Sequence, residues 1–244
     1  MTEPSPAEGA PPTACEIERR FRSPAVIVTR SVILGSIGVL RAARSFGWHA
    51  EGLHHFDDLE PPLILAANHQ SHADTAAILG TLPRPVRERT AVAAALDVFG
   101  RADNGRMPSL KRECIQLVVA AGFHAFAFDR HGPPLRSVRT AAQLIRNGWN
   151  LLLYPEGTRS RTGEMAPFKA GVGALARFTR RSVIPIHVVG GRRILPCGAI
   201  IPRPGQMTVR YGPPLRYQRG ESLAGFALRL QARVQTLRSP HGGE

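Results

Sequence analysis

The chain has 244 residues, enough for one domain with a substantial core and short for two independent ones. Its 32 Lys and Arg against 18 Asp and Glu leave a net charge of +14, which points to an anionic partner: nucleic acid, an acidic membrane surface or a phosphorylated small molecule. Nucleic acid finds no support, because aromatics are only 6% of the chain, none interleave with basic runs, and all basic residues except Lys111 and Lys169 are arginines, the bias a GC-rich coding sequence gives regardless of function.

Residues 1–20 are rich in Pro, Ala and Glu, lack a positively charged start, and read as a disordered tail rather than a signal peptide. The segment 21–47 holds the most apolar stretch, Ala25 to Leu40, interrupted by Arg30. The run between Arg30 and Arg41 is too short for a span that needs about 20 residues. Two readings stand: a helix in the membrane interface with Arg30, Arg41 and Arg44 on lipid phosphates, or an ordinary helix packed on the domain. The three cysteines, Cys15, Cys114 and Cys197, are scattered without metal spacing, which suits a reducing compartment and a cytoplasmic protein.

From 48 to 240 short apolar runs alternate with helical patterns. Strands are predicted at Leu63 to Ala67, Thr90 to Ala95, Ala125 to Phe128, Asn150 to Tyr154, Val183 to Val188 and Met207 to Tyr211. Helices are predicted near 74–82, 108–121, 134–147, 170–180 and 221–237. The pattern predicts an α/β domain: a largely parallel sheet covered by helices, with an N-terminal apolar or amphipathic helical segment. Gly171 to Ala176 imitates a dinucleotide fingerprint, yet follows no strand directly and has Gly191-Arg192-Arg193 where an acid is needed.

Three polar clusters follow apolar strands: Asn68-His69, Asp129-Arg130, and Pro155 to Ser160. The C-terminal ends of parallel strands line one edge of a sheet, so clusters distant in sequence can share a site there. Ser71 with Asp74 three residues on, just before an apolar run, reads as an N-cap with an acid at the third helical position. His69 then lies in the turn before the helix and Asp74 in its first turn, within reach of a hydrogen bond that would fix the imidazole tautomer. On its own the pair is equally consistent with a plain helix cap, and His69-x-x-His72-x-Asp74 also admits a metal site recruiting His124, His187 or Glu156. Pro155 to Ser160 offers hydroxyls, amides and a guanidinium suited to a phosphate.

Asn68 to Asp74 resembles the first motif of the glycerolipid acyltransferase family, typified by 1-acyl-sn-glycerol-3-phosphate acyltransferase. Gly122 to Arg130 is similar to its second motif, Tyr154 to Ser160 to its third, Val183 to Ile186 to its fourth, and Met207 to Leu215 to its closing strand. The resemblance covers roughly residues 46–216. It implies that His69 deprotonates an acceptor hydroxyl, that Asp74 orients it, and that backbone amides near the helix start hold the oxyanion. Arg130, Glu156, Gly157, Thr158, Arg159 and Lys169 would bind the acceptor's phosphate and glycerol. The donor would be acyl-CoA or acyl carrier protein and the acceptor a lysolipid or glycerol-phosphate-type hydroxyl, in phospholipid biosynthesis or remodelling. No metal or other cofactor is implied, because a thioester is already activated. The enzyme would be peripheral on the inner face of the cell membrane, against its anionic surface.

The chain departs from the family in two places. His124 stands where the family often has glycine, with Gly122 two residues earlier, and 93–99 lacks the lysine common in lysophosphatidate-specific members. An acceptor other than lysophosphatidic acid is therefore open: a lyso-ornithine lipid, another lysophospholipid or a polyol head group. Two other classes stay open too: a metal-dependent hydrolase on His69, His72 and Asp74, and a catalytically silent membrane-binding module.

Overall fold

The structure, a computed structural model, describes residues 12–42, 46–95, 122–128, 134–160, 162–196, 199 and 202–238. Its described strands are β1 (Phe46–Glu51), β2 (Ile64–Ala67), β3 (Thr90–Ala95), β4 (Ala125–Phe128), β5 (Asn150–Leu153), β6 (Val183–Val189) and β7 (Gly205–Tyr211). They form one sheet in the order β1-β7-β6-β2-β5-β3-β4. Every pairing is parallel except β6 with β7. The largely parallel sheet expected from the sequence is therefore present, with two strands of reversed sense, β7 and β1, on one side.

Helices cover both faces: α1 (Ala14–Phe21), α2 (Pro24–Ala42), α3 (His72–Thr81), α4 (Arg84–Glu88), α5 (Pro134–Arg146), α6 (Gly171–Thr179), α7 (Gly191–Ile194) and α8 (Leu223–Thr236). Ile64 and Ala66 point into a core with α1, α5, α6 and α8, while Leu65 and Ala67 point into a second core with α3 and α7. A strand buried on both faces needs no polar alternation, which is why β2 reads as a continuous apolar run. Two asparagines brace the ends of this centre. Asn150 Oδ1 accepts from the Leu63 amide at 2.8 Å, and Asn68 exchanges bonds of 3.1 and 2.7 Å with the carbonyl and amide of Val188.

The N-terminus departs from the sequence reading. Residues 14–20 are not tail but helix: Thr13 and Glu16 form a capping box, and Ala14, Ile17 and Phe21 enter the core. Nor does Arg30 face lipid. It is buried in α2 and donates to the carbonyls of Gly122 at 3.0 Å and Arg87 at 3.3 Å, and burial followed by the Arg87 charge draws its pKa down to about 10. The guanidinium is a docking pin between α2 and the domain, and the aliphatic Ile27, Val28 and Val32 of the same helix are exposed. Among the described residues no helix is long and apolar enough to cross a membrane. The predicted helix at 108–121 lies outside the described residues, as do Arg44 and Asp129-Arg130.

β1, α4 and α7 are unannounced in the sequence. Among the described residues β1 is an edge strand paired with β7 alone, and Gly47, His49 and Glu51 interrupt any apolar run. Edge strands with one wet side carry weak sequence signals.

Candidate functional site

β2 lies between β5 and β6, so the turn after β2 is flanked by the loop after β5 and by α7 after β6. This adjacency brings His69, the 155–160 loop and the Gly190 to Arg193 turn to one edge of the sheet. The predicted helix start is present: Ser71 caps α3, its hydroxyl accepts from the Ala73 amide at 3.1 Å, and Asp74 at the third position accepts back from the Ser71 amide at 2.7 Å. The same carboxylate oxygen, Oδ2, accepts from the Gln70 amide at 2.7 Å and faces Nδ1 of His69 at 3.2 Å. A carboxylate only accepts, so Nδ1 carries the hydrogen and Nε2 is left as the basic nitrogen. The side chain of Asp74 is 1% exposed and that of His69 14%, so the acid is sealed while the base can be reached.

The imidazole is held from a third direction. Tyr154, the last residue before the 155–160 loop, stacks on the His69 ring with centroids 3.8 Å apart and planes at 16°. Its hydroxyl lies 2.7 Å from Thr75 Oγ1, and burial, then the Asp74 charge, keeps the phenol neutral by raising its pKa. The main chain of His69 is equally fixed: its amide donates to Glu156 Oε1 at 2.7 Å and its carbonyl accepts from the Ser160 amide at 2.8 Å. Ala166 donates to the other Glu156 oxygen at 2.8 Å. Burial raises the pKa of Glu156, with the two amides working against that rise and the Asp74 charge adding to it. Both oxygens of this carboxylate are thus committed to main chain, which makes Glu156 a brace between the two loops.

Gly157 follows with φ at +73°, a conformation that favours glycine, and its missing side chain is matched by Lys169: a Cβ there would stand 2.8 Å from Nζ. Thr158 is exposed and Arg159 half-buried. Arg159 is close enough to His72 for their charges to interact, and the His72 ring lies 6.4 Å from that of His69. Of the sequence-predicted site residues, His69, Asp74, Glu156, Gly157, Thr158, Arg159 and Lys169 share this edge, and Arg130 is outside the described residues.

One expectation narrows. The amides of His69, Gln70, Ser71, Ala73 and Asp74 are all spent inside the loop and helix cap, so these five cannot hold an oxyanion. The ligand set that a metal site on His69, His72 and Asp74 would need is also not assembled, since no three His, Cys, Asp or Glu side chains converge among the described residues. His124 instead stacks on Phe21 at 4.7 Å, and both His124 and His187 are buried apart from the site.

Sequence reasoning gave no role to three positions. Asn68 extends the β2 to β6 pairing through its side chain, Tyr154 clamps the imidazole, and Gly191 backs Asp74. A Cβ on Gly191 would sit 2.0 Å from Asp74 Oδ1, the buried oxygen that has no hydrogen-bond partner. Asn68 and Tyr154 stand in the first and third motifs, and the glycine pair after β6 signals close approach.

A family model described as Acyltransferase matches residues 48–189. The 1-acyl-sn-glycerol-3-phosphate acyltransferase of Limnanthes douglasii is 34% identical over 95 residues, 38% of this chain and 34% of its own. That of Brassica napus chloroplasts is 25% identical over 162 residues, 61% of this chain and 39% of its own, and the alpha form of Mus musculus is 28% identical over 151 residues, 61% and 48%. The chain spans about a third to a half of the length of the curated relatives it matches. The crystal structure of the 1-acyl-sn-glycerophosphate acyltransferase PlsC from Thermotoga maritima shares the fold, with a TM-score of 0.61 at 20% identity over 91% of this chain and 85% of that one.

Proposed function

This chain belongs to the acyltransferase family, and on that footing we propose that it moves a fatty acyl group from an acyl thioester to a hydroxyl of a lysophospholipid or glycerol-phosphate-type acceptor. The observation that carries the reading is the His69–Asp74 pair at 3.2 Å, with its acid sealed, its base reachable and its ring clamped by Tyr154.

Nε2 of His69 removes the proton from the acceptor hydroxyl as its oxygen attacks the thioester carbonyl. The imidazolium that forms is stabilised by Asp74, whose Oδ2 accepts from two amides and faces the imidazole. Collapse of the tetrahedral intermediate breaks the carbon–sulfur bond, and the departing thiolate takes the proton back from His69. The ester and a free thiol are the products. The amides of His69, Gln70, Ser71, Ala73 and Asp74 are occupied, so stabilisation of the oxyanion falls to other donors at the edge of the site.

Arg159 and Lys169 suit the acceptor's phosphate, since neither has a carboxylate partner among the described residues and a guanidinium forks onto phosphate oxygens. The exposed aliphatic face of α2 suits peripheral contact with a membrane, from whose cytoplasmic face a lysolipid could be drawn. Acyl-CoA and acyl carrier protein both remain suitable donors.

The test is thiol release from palmitoyl-CoA by wild type and His69→Ala, against a panel of lysolipids with and without EDTA. Acceptor-dependent, EDTA-resistant release that is lost in the variant supports the reading. Release that His69→Ala leaves intact would sink it.

A further inference from the structure

The β6 flank of His69 carries a feature that this reading does not use. A pocket of about 430 Å³ opens there, lined by Gln70, Val189, Gly190, Arg192, Arg193 and Pro196. Gln70 follows His69 in the chain, its amide is bonded to Asp74 Oδ2, and its side chain donates to the Gly163 carbonyl at 3.2 Å. Arg192 reaches over the same loop, where a Cβ on Gly163 would stand 3.2 Å from its Nη1.

Both arginines are exposed, and neither forms an ion pair with a carboxylate among the described residues. Their charge is available to a ligand. Their place in the topology matters as much: β2 separates them from Arg159 and Lys169, which come from the β5 side. The base thus stands between two cationic flanks, each without a carboxylate partner among the described residues. A transfer reaction brings two substrates to one base from different directions. If the acceptor's phosphate occupies the β5 flank, the second flank is left for the phosphates of the other substrate.

We propose that the pocket between β6 and α7 binds phosphate groups of the acyl donor's carrier through Arg192 and Arg193. The chemistry is that of a phosphate ester or pyrophosphate on a pantetheine arm, which both a coenzyme and a phosphopantetheinylated carrier protein present. Paired guanidiniums recognise such oxygens bidentately, and Val189 and Pro196 give the pocket an apolar wall. The inference rests on the acyl-transfer reading.

The experiment compares palmitoyl-CoA with S-palmitoyl pantetheine, which lacks every phosphate, in wild type and Arg192→Ala/Arg193→Ala. The expected result is that the ratio of kcat/KM for the two donors falls at least tenfold in the double variant, with the acceptor KM unmoved. Arg192→Lys/Arg193→Lys should recover part of the ratio, because charge is kept and the fork lost. Equal losses with both donors, or a rise in acceptor KM alone, would overturn the proposal. A larger loss with palmitoyl carrier protein than with palmitoyl-CoA would support it and name the carrier. Should wild type release no thiol from any donor, the acyl-transfer reading itself has failed. Calorimetry with 3′,5′-ADP then decides the pocket separately: binding by wild type that the double variant loses supports it, and no binding overturns it.

Discussion

The two sides of this site are built in opposite ways. Around His69 and Asp74 nearly every polar group is spent: both backbone groups of His69, both oxygens of Glu156 and the capping amides all have partners at 2.7 to 3.2 Å. Along the rim, Arg159, Lys169, Arg192 and Arg193 stand without carboxylate partners among the described residues. Under the proposed function the difference is a division of labour. A base must be held within a fraction of an ångström, which takes a rigid and buried network, whereas cations awaiting a phosphate must stay uncommitted until it arrives.

The comparison can be broken first at the dyad. His69→Ala and Asp74→Asn should each lower acceptor-dependent thiol release by about 10²–10⁴-fold, chiefly in kcat, with little change in circular dichroism. A loss below tenfold in both would show that this pair is a helix cap and not a catalytic couple. Next in size is Gly191→Ala, whose new Cβ must displace Asp74 Oδ1. We expect kcat to drop about 10–100-fold and stability by about 1–3 kcal/mol, the cost of overpacking a filled site. Unchanged kinetics would show that α7 yields freely.

Glu156→Gln tests the brace. The new amide group would point a donor at one of two backbone amides, costing about 1–3 kcal/mol of stability and about tenfold in kcat. An acceptor-KM effect with kcat intact would instead place Glu156 on the substrate. On the rim the split should reverse. Arg159→Ala should raise the KM for a phosphorylated acceptor about tenfold while leaving kcat within a few-fold, and wild-type KM should climb with salt.

The smallest effect concerns stability against pH and lies away from the site. Burial, then the Arg30 charge, lowers the pKa of His124 to about 3, and burial with Arg210 and Arg238 nearby lowers that of His187 to about 4. Both are depressed below the ordinary 6.5, so the unfolded chain binds more protons between pH 6.5 and 3. Their contribution is present above 6.5 and drains away as pH falls through that window. The melting temperature should slip by a few degrees per pH unit there, and His124→Asn, which tolerates the φ of +48°, should flatten the slope.

Much of the dyad was legible because its information is local. The five-residue spacing of His69 and Asp74, the Ser71 cap and the apolar run of β2 all lie within a dozen residues, and a turn followed by a helix has few ways to fold. The alternation of strand and helix likewise fixed the α/β class, and two faces of cover explain the unbroken apolar runs. Arg30 is the opposite case: a charge in an apolar segment reads equally as facing lipid or as part of a helix packed on the domain, and the two carbonyls that decide for packing, at Gly122 and Arg87, are announced by no local pattern.

What the sequence alone determined, then, is which side chains could do chemistry and on which kind of turn they sit. Only the tertiary structure decided how they are held. Strand order is set by which faces bury best against one another across long loops, and it is this order that puts β5 and β6 on either side of β2. From that one arrangement follow the Glu156 brace, the Tyr154 clamp, the close approach of Gly191 to Asp74 and the second cationic flank at Arg192 and Arg193.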